Sequence, residues 1–241
     1  MIAFLTSSPC IYGAPRAILN PENGFVNNLR SSLPEKIRCL FVASSPDDPN
    51  ATERFGGEMA ACFEEAGFTF SDFQILDRRN QDEAQLLIWK SDLIILAGGH
   101  VPTQNAFFQD IGLRALLTNY QGVVLGISAG TMNAADRVYI QPEEPGESVP
   151  EFQRFAEGLG ITTLNILPHY QMVKDNYLDG RRLFEDITFA DSYGKCFYVF
   201  VDGTYLLVEE GRTALCGEAY RIADGAMEQI SGPGDILLIE E

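Results

Sequence analysis

A short apolar segment that runs directly into a serine turn constrains this fold more than any other part of the sequence. Residues 122–127 read GVVLGI and are followed by Ser128-Ala129-Gly130, after which TMNAA is suited to a helix. A short strand that is apolar throughout is buried on both faces, which is typical of a parallel sheet covered by helices. The pattern Gly-x-Ser-x-Gly between a strand and a helix is a nucleophile elbow, in which a strained turn projects the serine hydroxyl from the sheet.

The same turn admits a purely structural interpretation, in which Ser128 only caps the helix that follows. A second apolar strand at residues 93–96 (LIIL) ends just upstream in Ala97-Gly98-Gly99. Two neighbouring strands that end in glycine can bring backbone N–H groups to one point, where they would stabilise a developing negative charge. This context favours the catalytic interpretation, with Ser128 as the nucleophile.

Strand and helix patterns alternate along most of the chain. Strands are predicted at residues 2–8, 38–44, 70–76, 93–96 and 122–127, and helices at 25–33, 52–66 and 82–90. This alternation predicts an α/β fold with a doubly wound, mostly parallel sheet and helices on both faces. From residue 212 onward the pattern predicts antiparallel strands, and therefore an antiparallel C-terminal edge. Without a visible boundary, residues 1–241 are expected to form a single domain.

Two further elements are predicted in the second half of the chain. Residues 178–189 are expected to form a helix that carries Arg181 and Arg182. Residues 195–201 are expected to form a strand that pairs as a hairpin with residues 204–208, since Asp202-Gly203 between them is a favourable turn pair.

Charge and cysteine content narrow the classes of function. A formal net charge of −17 argues against nucleic acid or an anionic membrane as a partner. The chain has no apolar run near the length of a membrane span. Its five cysteines are scattered and lack metal-ligand spacing, so we expect reduced thiols, a cytoplasmic location and neither metal nor cofactor. The charge and cysteine content are compatible with a homodimer.

Chemistry-bearing residues follow several predicted strands. Gly99, Ser128, His169 and Asp202 all stand at predicted carboxyl ends, where functional groups gather in open α/β sheets. A serine nucleophile needs a base, and a histidine base needs a carboxylate to fix its tautomer. His169 and Asp202 would complete the chain order serine, histidine, acid. The structural alternatives are a loop histidine after Pro168 and a simple Asp-Gly turn.

With these motifs in place, the sequence resembles the peptidase E family of serine peptidases, which includes the α-aspartyl dipeptidases and, more distantly, the cyanophycinases. The resemblance covers essentially the whole chain. It rests on the opening strand, Gly98-Gly99 after the 93–96 strand, the Gly-Ile-Ser-Ala-Gly elbow, Pro168-His169 and the late acidic turn.

The resemblance implies a role for each matching position. Ser128 would be the nucleophile, His169 the base and Asp202 the acid, with the N–H groups of Gly99 and Ala129 as oxyanion donors. The implied fold is that of class I glutamine amidotransferases, which carry cysteine at the elbow, so Ser128 argues against glutaminase chemistry. The implied substrates are small peptides, with N-terminal aspartyl dipeptides as the family's example.

This chain departs from the family pattern at two positions. The family usually has Asn or Asp after Gly-Gly, whereas this chain has His100, which we therefore expect to contact the substrate. Asp202 is shorter than the glutamate usual at the acid position. Glu143, in the acidic loop 142–150 and followed by Glu144, is the reserve candidate for the catalytic acid.

Arginine binds the aspartyl side chain in the dipeptidases, and Arg181 or Arg182 is similarly placed here, with Arg137 as a further option. The leading hypothesis is thus a serine peptidase that acts on small peptides. A non-catalytic binding or regulatory module of the same fold and an amide hydrolase with a non-peptide substrate are the alternatives.

Overall fold

The computed structural model describes residues 1–240, which form sixteen strands and eight α-helices. The strands are β1 (Ile2–Thr6), β2 (Ile37–Val42), β3 (Phe70–Leu76), β4 (Leu93–Leu96), β5 (Val123–Ile127), β6 (Arg137–Tyr139), β7 (Phe155–Glu157), β8 (Asn165–Leu167), β9 (Tyr177–Leu178), β10 (Arg181–Arg182), β11 (Cys196–Phe200), β12 (Tyr205–Glu209), β13 (Arg212–Cys216), β14 (Ala219–Ala223), β15 (Ala226–Ser231) and β16 (Ile236–Ile239).

The helices are α1 (Phe25–Ser31), α2 (Pro49–Glu65), α3 (Ala84–Lys90), α4 (Val101–Asp110), α5 (Leu113–Leu117), α6 (Ala129–Met132), α7 (Tyr170–Val173) and α8 (Phe189–Asp191). Short 3₁₀ turns lie at Glu22–Gly24 and Arg78–Glu83, and a π-helical turn lies at Leu183–Thr188. None of the helices in residues 1–240 has the length and apolar character that crossing a membrane requires.

The largest sheet has eight strands in the order β16-β13-β12-β1-β5-β4-β2-β3. Strands β3, β2, β4, β5 and β1 run parallel to one another, while β12, β13 and β16 are antiparallel to their neighbours. The predicted mostly parallel sheet with an antiparallel C-terminal edge is confirmed. Strand β5, which leads into Ser128, lies between β1 and β4 near the middle of the sheet.

Helices cover both faces of this sheet, as predicted. Leu93 and Ile95 of β4 pack with apolar residues of α1 and α2, such as Leu29 and Phe63. Ile94 and Leu96, which point to the other face, pack with residues of α3, α4 and α5. Because each face buries side chains worth about 1.5–3 kcal/mol apiece, a strand in this layer is apolar throughout rather than alternating.

A second sheet of four strands has the order β15-β14-β11-β8, in which β8 and β11 are parallel. The predicted hairpin between residues 195–201 and 204–208 is wrong. Strand β11 pairs with β8 and β14, whereas β12 pairs with β1 and β13 of the main sheet. Asp202 and Gly203 therefore carry the chain from one sheet to the other instead of turning it back on itself.

The predicted helix at residues 178–189 is also wrong over its first half. Strands β9 and β10 form a two-stranded hairpin, so Arg181 and Arg182 lie on a strand. Asp179 and Gly180, which join the strands, have φ values of 50° and 78°. An Asp-Gly pair in this left-handed conformation makes a tight hairpin turn and interrupts any helix. Helical structure begins only at Leu183.

Candidate active site

Ser128 occupies the turn between β5 and α6 in a strained conformation. Its backbone has φ 50° and ψ −110°, which is unfavourable for a residue with a side chain. Such strain persists only where the surrounding structure enforces it, and it is what the predicted elbow requires. The Ser128 N–H donates to the carbonyl oxygens of Thr6 and Ser7 at 3.2 Å each. The end of β1 therefore holds the turn in place.

Reciprocal side-chain bonds tie β1 to the elbow. The Thr6 hydroxyl donates to the carbonyl oxygen of Gly126 at 2.8 Å, and the Thr131 hydroxyl donates to the carbonyl oxygen of Thr6 at 2.8 Å. Gly130 lets helix α6 approach the end of β4, since a Cβ at this position would lie 2.3 Å from the Leu96 carbonyl oxygen. The second glycine of the motif thus serves close packing between helix and sheet.

His169 and Asp202 meet where two parallel strands of the second sheet end. His169 follows β8, Asp202 follows β11, and the distance between His169 Nδ1 and Asp202 Oδ1 is 2.7 Å. The aspartate side chain is 4% exposed and the histidine side chain 27% exposed. The imidazole thus has one nitrogen held by a carboxylate and keeps access to the site.

Ser7, which sequence reasoning missed, joins these two residues. Its hydroxyl donates to Asp202 Oδ1 at 2.6 Å and accepts the backbone N–H of His169 at 2.7 Å. Ser7 is fully buried and follows β1, the neighbour of β5. One feature of the sequence could have identified Ser7. It lies near the end of the first predicted strand, at the same edge of the sheet as Ser128.

The pKa of Asp202 is lowered. Burial alone would raise this pKa, but hydrogen bonds from His169 and Ser7 to the carboxylate outweigh that effect. Asp202 is therefore held in its charged form, which is the form that accepts a hydrogen bond from an imidazole N–H.

Ser128 and His169 face one pocket of about 130 Å³. Gly99, Val101 and Glu143 line it together with apolar side chains that include Met132, Val173 and Leu183. Within residues 1–240, no hydrogen bond joins the Ser128 hydroxyl to His169. Catalytic hydrogen bonds are often long before substrate binds, so this arrangement is compatible with proton transfer between them.

Gly99 brings the end of β4 to the pocket beside Ser128. A Cβ on Gly99 would lie 2.5 Å from Oγ of Ser44, which follows β2, so the close approach of the ends of β4 and β2 requires glycine. Ala129 is the first residue of α6, where a backbone N–H has no acceptor inside the helix. The two N–H groups predicted as oxyanion donors therefore come from adjacent strand ends on the Ser128 side of the site.

A network of buried amides holds the loop that contains Gly99. Gln104 Nε2 donates to the Ala97 carbonyl oxygen at 2.7 Å, and Asn133 Nδ2 donates to Gln104 Oε1 at 3.1 Å. Asn133 Oδ1 accepts from Asn105 Nδ2 at 3.0 Å. The residues after Gly98-Gly99 thus fix the β4 end against the elbow helix.

His100 lies beside the pocket, and both its ring nitrogens have partners. Nδ1 is 2.7 Å from Thr103 Oγ1, and Nε2 is 3.1 Å from Glu147 Oε1. The ligand atoms of His100, Glu144 and Glu147 lie within 4.8 Å of one another, and this is the group in residues 1–240 with the chemistry to hold a metal ion. Glu144 is exposed and His100 already pairs with Glu147, so we regard the group as a polar rim.

The reserve acid Glu143 does not reach His169. Its Oε1 accepts the Val101 N–H at 3.3 Å, and desolvation raises its pKa. Arg181 donates to the carbonyl oxygens of Ser148 and Asp186 at 3.2 and 2.7 Å, and it is not part of the described pocket lining. Of the two candidate acids, the structure brings Asp202 to the histidine.

A larger groove of about 460 Å³ lies between α3 and α5. Its lining includes Leu86, Ile88, Trp89 and Leu116 and contains neither serine nor histidine among the described residues. We therefore place the candidate active site at Ser128.

The fold and the site together define an α/β protein with a candidate hydrolase site, since a serine elbow and a histidine held by an aspartate face one pocket. The family model described as peptidase family S51 matches residues 29–216. The chain belongs to this peptidase family. No curated protein has a sequence that matches the chain.

Two solved structures share the fold. A peptidase from an acI-B1 Actinobacterium is 17% identical with a TM-score of 0.64, covering 99% of this chain and 96% of its own. A putative peptidase E protein from Listeria monocytogenes EGD-e is 15% identical with a TM-score of 0.61, covering 95% and 98%. At these identities the likeness concerns the fold, and it agrees with the family resemblance drawn from the motifs.

Proposed function

We propose that this protein is a serine peptidase that hydrolyses short peptides in the cytoplasm, with Ser128 as its nucleophile. The observation that carries the proposal is that Asp202 lies 2.7 Å from His169, which lines the same pocket as the strained Ser128. Membership of peptidase family S51 supports the reaction class. The free cysteines, of which Cys10 and Cys62 have their sulfur atoms 3.8 Å apart without a bond, support a reducing compartment.

In the proposed mechanism, Ser128 Oγ attacks the scissile carbonyl carbon while His169 Nε2 takes its proton. Asp202, bonded to Nδ1, keeps the proton of the neutral imidazole on that nitrogen and stabilises the imidazolium that forms. The N–H groups of Gly99 and Ala129 stabilise the oxyanion, and removing such a donor typically costs about 10²–10³ in kcat. His169 then protonates the leaving amine, and water hydrolyses the acyl-enzyme by the reverse sequence.

The test is the variant Ser128→Ala, assayed on a panel of dipeptide amides and labelled with a fluorophosphonate. We expect hydrolysis to fall by about 10³-fold or more, since the nucleophile is removed. The labelled wild-type protein should carry one adduct, located on Ser128 by mass spectrometry.

The matched control is Ser31→Ala, which changes an exposed serine of α1. It should retain wild-type turnover and labelling. Absence of labelling in a folded wild-type protein would contradict the proposal and favour a non-catalytic binding module of the same fold. Labelling with no turnover of any peptide would instead favour an amide hydrolase with a non-peptide substrate.

A further inference from the structure

The charge of the pocket beside Ser128 bears on the substrate class. Glu143 is the carboxylate residue in the described lining, and that lining contains neither lysine nor arginine. An acidic substrate side chain would therefore meet a like charge without a guanidinium to offset it. Arg181, which the sequence predicted as a ligand of an aspartyl side chain, already donates to two carbonyl oxygens outside the lining.

The Glu143 carboxylate has few protein partners for an ionised group. A carboxylate has about four acceptor positions, and within residues 1–240 the hydrogen bond to Glu143 is the one from the Val101 N–H at 3.3 Å. Glu143 is an exposed residue overall but belongs to the pocket lining, and desolvation raises its pKa. A cationic group bound there would satisfy the free acceptor positions and favour the ionised form.

The position of Glu143 places that cation next to the reacting bond. Its partner Val101 comes two residues after Gly99, the predicted oxyanion donor, and both line the pocket with Ser128. At about 130 Å³ the pocket is smaller than typical ligand sites of about 300–1,000 Å³. It therefore suits one short substrate group rather than a long peptide segment.

We propose that Glu143 is a specificity-determining residue that selects short peptides carrying a cationic nitrogen, an ammonium or a guanidinium, beside the scissile bond. This inference rests on the proposed peptidase function and deepens it. It runs opposite to the aspartyl preference that the sequence resemblance implies. The cation is supplied either by a lysine or arginine side chain or by the free amino terminus of the substrate.

The test measures binding in the Ser128→Ala background, so that its result does not depend on turnover. Calorimetry would compare dipeptide amides that begin with Lys, Arg, norleucine or Asp, each with a free and an acetylated amino terminus. We expect the ligand with a cationic nitrogen to bind about five- to tenfold more tightly than its neutral counterpart, as expected for a partly solvated charge pair. The variant Ser128→Ala/Glu143→Gln should reduce this ratio to about one.

The matched control is Glu144→Gln in the same background. It removes a neighbouring carboxylate that is exposed and lies outside the described lining, so the preference for a cation should persist. If the acetylated Lys and Arg ligands still bind more tightly than acetylated norleucine, the side chain supplies the cation. If acetylation abolishes the preference, the free amino terminus supplies the cation. Both results support the proposal.

Two results would overturn the inference. One is that neither the Lys side chain nor the free amino terminus tightens binding, relative to norleucine and to the acetylated ligand respectively. The other is an equal effect of Glu143→Gln on charged and neutral ligands. Failure of the peptidase function itself would show separately, as absent fluorophosphonate labelling at Ser128 in the wild-type protein.

Discussion

Ser7 is the residue through which the main sheet holds the histidine–aspartate pair. We expect Ser7→Ala to lower kcat by about 10- to 100-fold with a smaller change in KM, because hydrogen bonds to charged groups are worth about 1.5–3 kcal/mol. Loss of the Ser7 hydrogen bond should also raise the pKa of Asp202, so the pH dependence of the free energy of unfolding should move upward. Steady-state kinetics would measure the first effect, and urea unfolding at several pH values would measure the second.

Ser8→Ala is the control for this prediction. The Ser8 hydroxyl contacts the backbone of Cys10 and neither His169 nor Asp202. An unchanged pH dependence of unfolding in Ser7→Ala, with activity lost only in proportion to folded protein, would show that Ser7 does not position the histidine–aspartate pair.

Asp202 makes stability depend on pH with a defined sign. Because its pKa is lowered in the folded state, its stabilising contribution is complete above the unfolded value of about 3.9. That contribution is lost as the pH falls through the lower folded value. The free energy of unfolding of wild-type protein should therefore exceed that of Asp202→Asn most at neutral pH. Urea unfolding at several pH values would show the gap narrowing below about pH 4, and a gap independent of pH would contradict the assigned shift.

At the scale of elements, the close contact of α6 with β4 is sensitive to the addition of a single methyl group. In Gly130→Ala the new Cβ would fall 2.3 Å from the Leu96 carbonyl oxygen, which is backbone and cannot rotate away. We expect a loss of about 1–3 kcal/mol in the free energy of unfolding, with reduced activity because β4 carries Gly99. Thermal and urea unfolding would measure it.

The comparison variant is Gly57→Ala in α2, where an added Cβ meets no atom within 4 Å. That change should stabilise the protein by about 0.5–1 kcal/mol, since alanine is the better helix former. Equal stability changes in the two variants would mean that the α6–β4 contact is looser than described.

The sequence predicted those elements whose local pattern and tertiary burial agree. The apolar strands of the main sheet and the elbow were foreseen because both faces are buried and the turn has a specific glycine spacing. The hairpin of Arg181 and Arg182 was missed, although Asp179-Gly180 is a strong turn signal, because the flanking residues also fit a helix. The pairing of β11 was missed because Asp202-Gly203 fits two interpretations equally well. The same local sequence suits a hairpin turn and an acidic residue at the end of a strand.

At the scale of the whole molecule, the candidate site is assembled from two sheets. Ser128 and Gly99 come from the main sheet, while His169 and Asp202 come from the parallel pair of the second sheet. The sequence predicted that these strand ends lie close together, but it did not predict that the strands belong to separate sheets. That information lies in long-range pairing, which depends on contacts between residues far apart in the chain. The buried role of Ser7 was missed for the same reason.

The crossing at Asp202 and Gly203 has a consequence for how this protein would fail. The nucleophile and the base belong to different sheets, and the buried Ser7 hydroxyl links the end of β1 to both His169 and Asp202. A small displacement of one sheet relative to the other would separate Ser128 from His169, while each sheet kept its own backbone hydrogen bonds. On mild heating, turnover should then be lost at a lower temperature than the one at which circular dichroism detects unfolding.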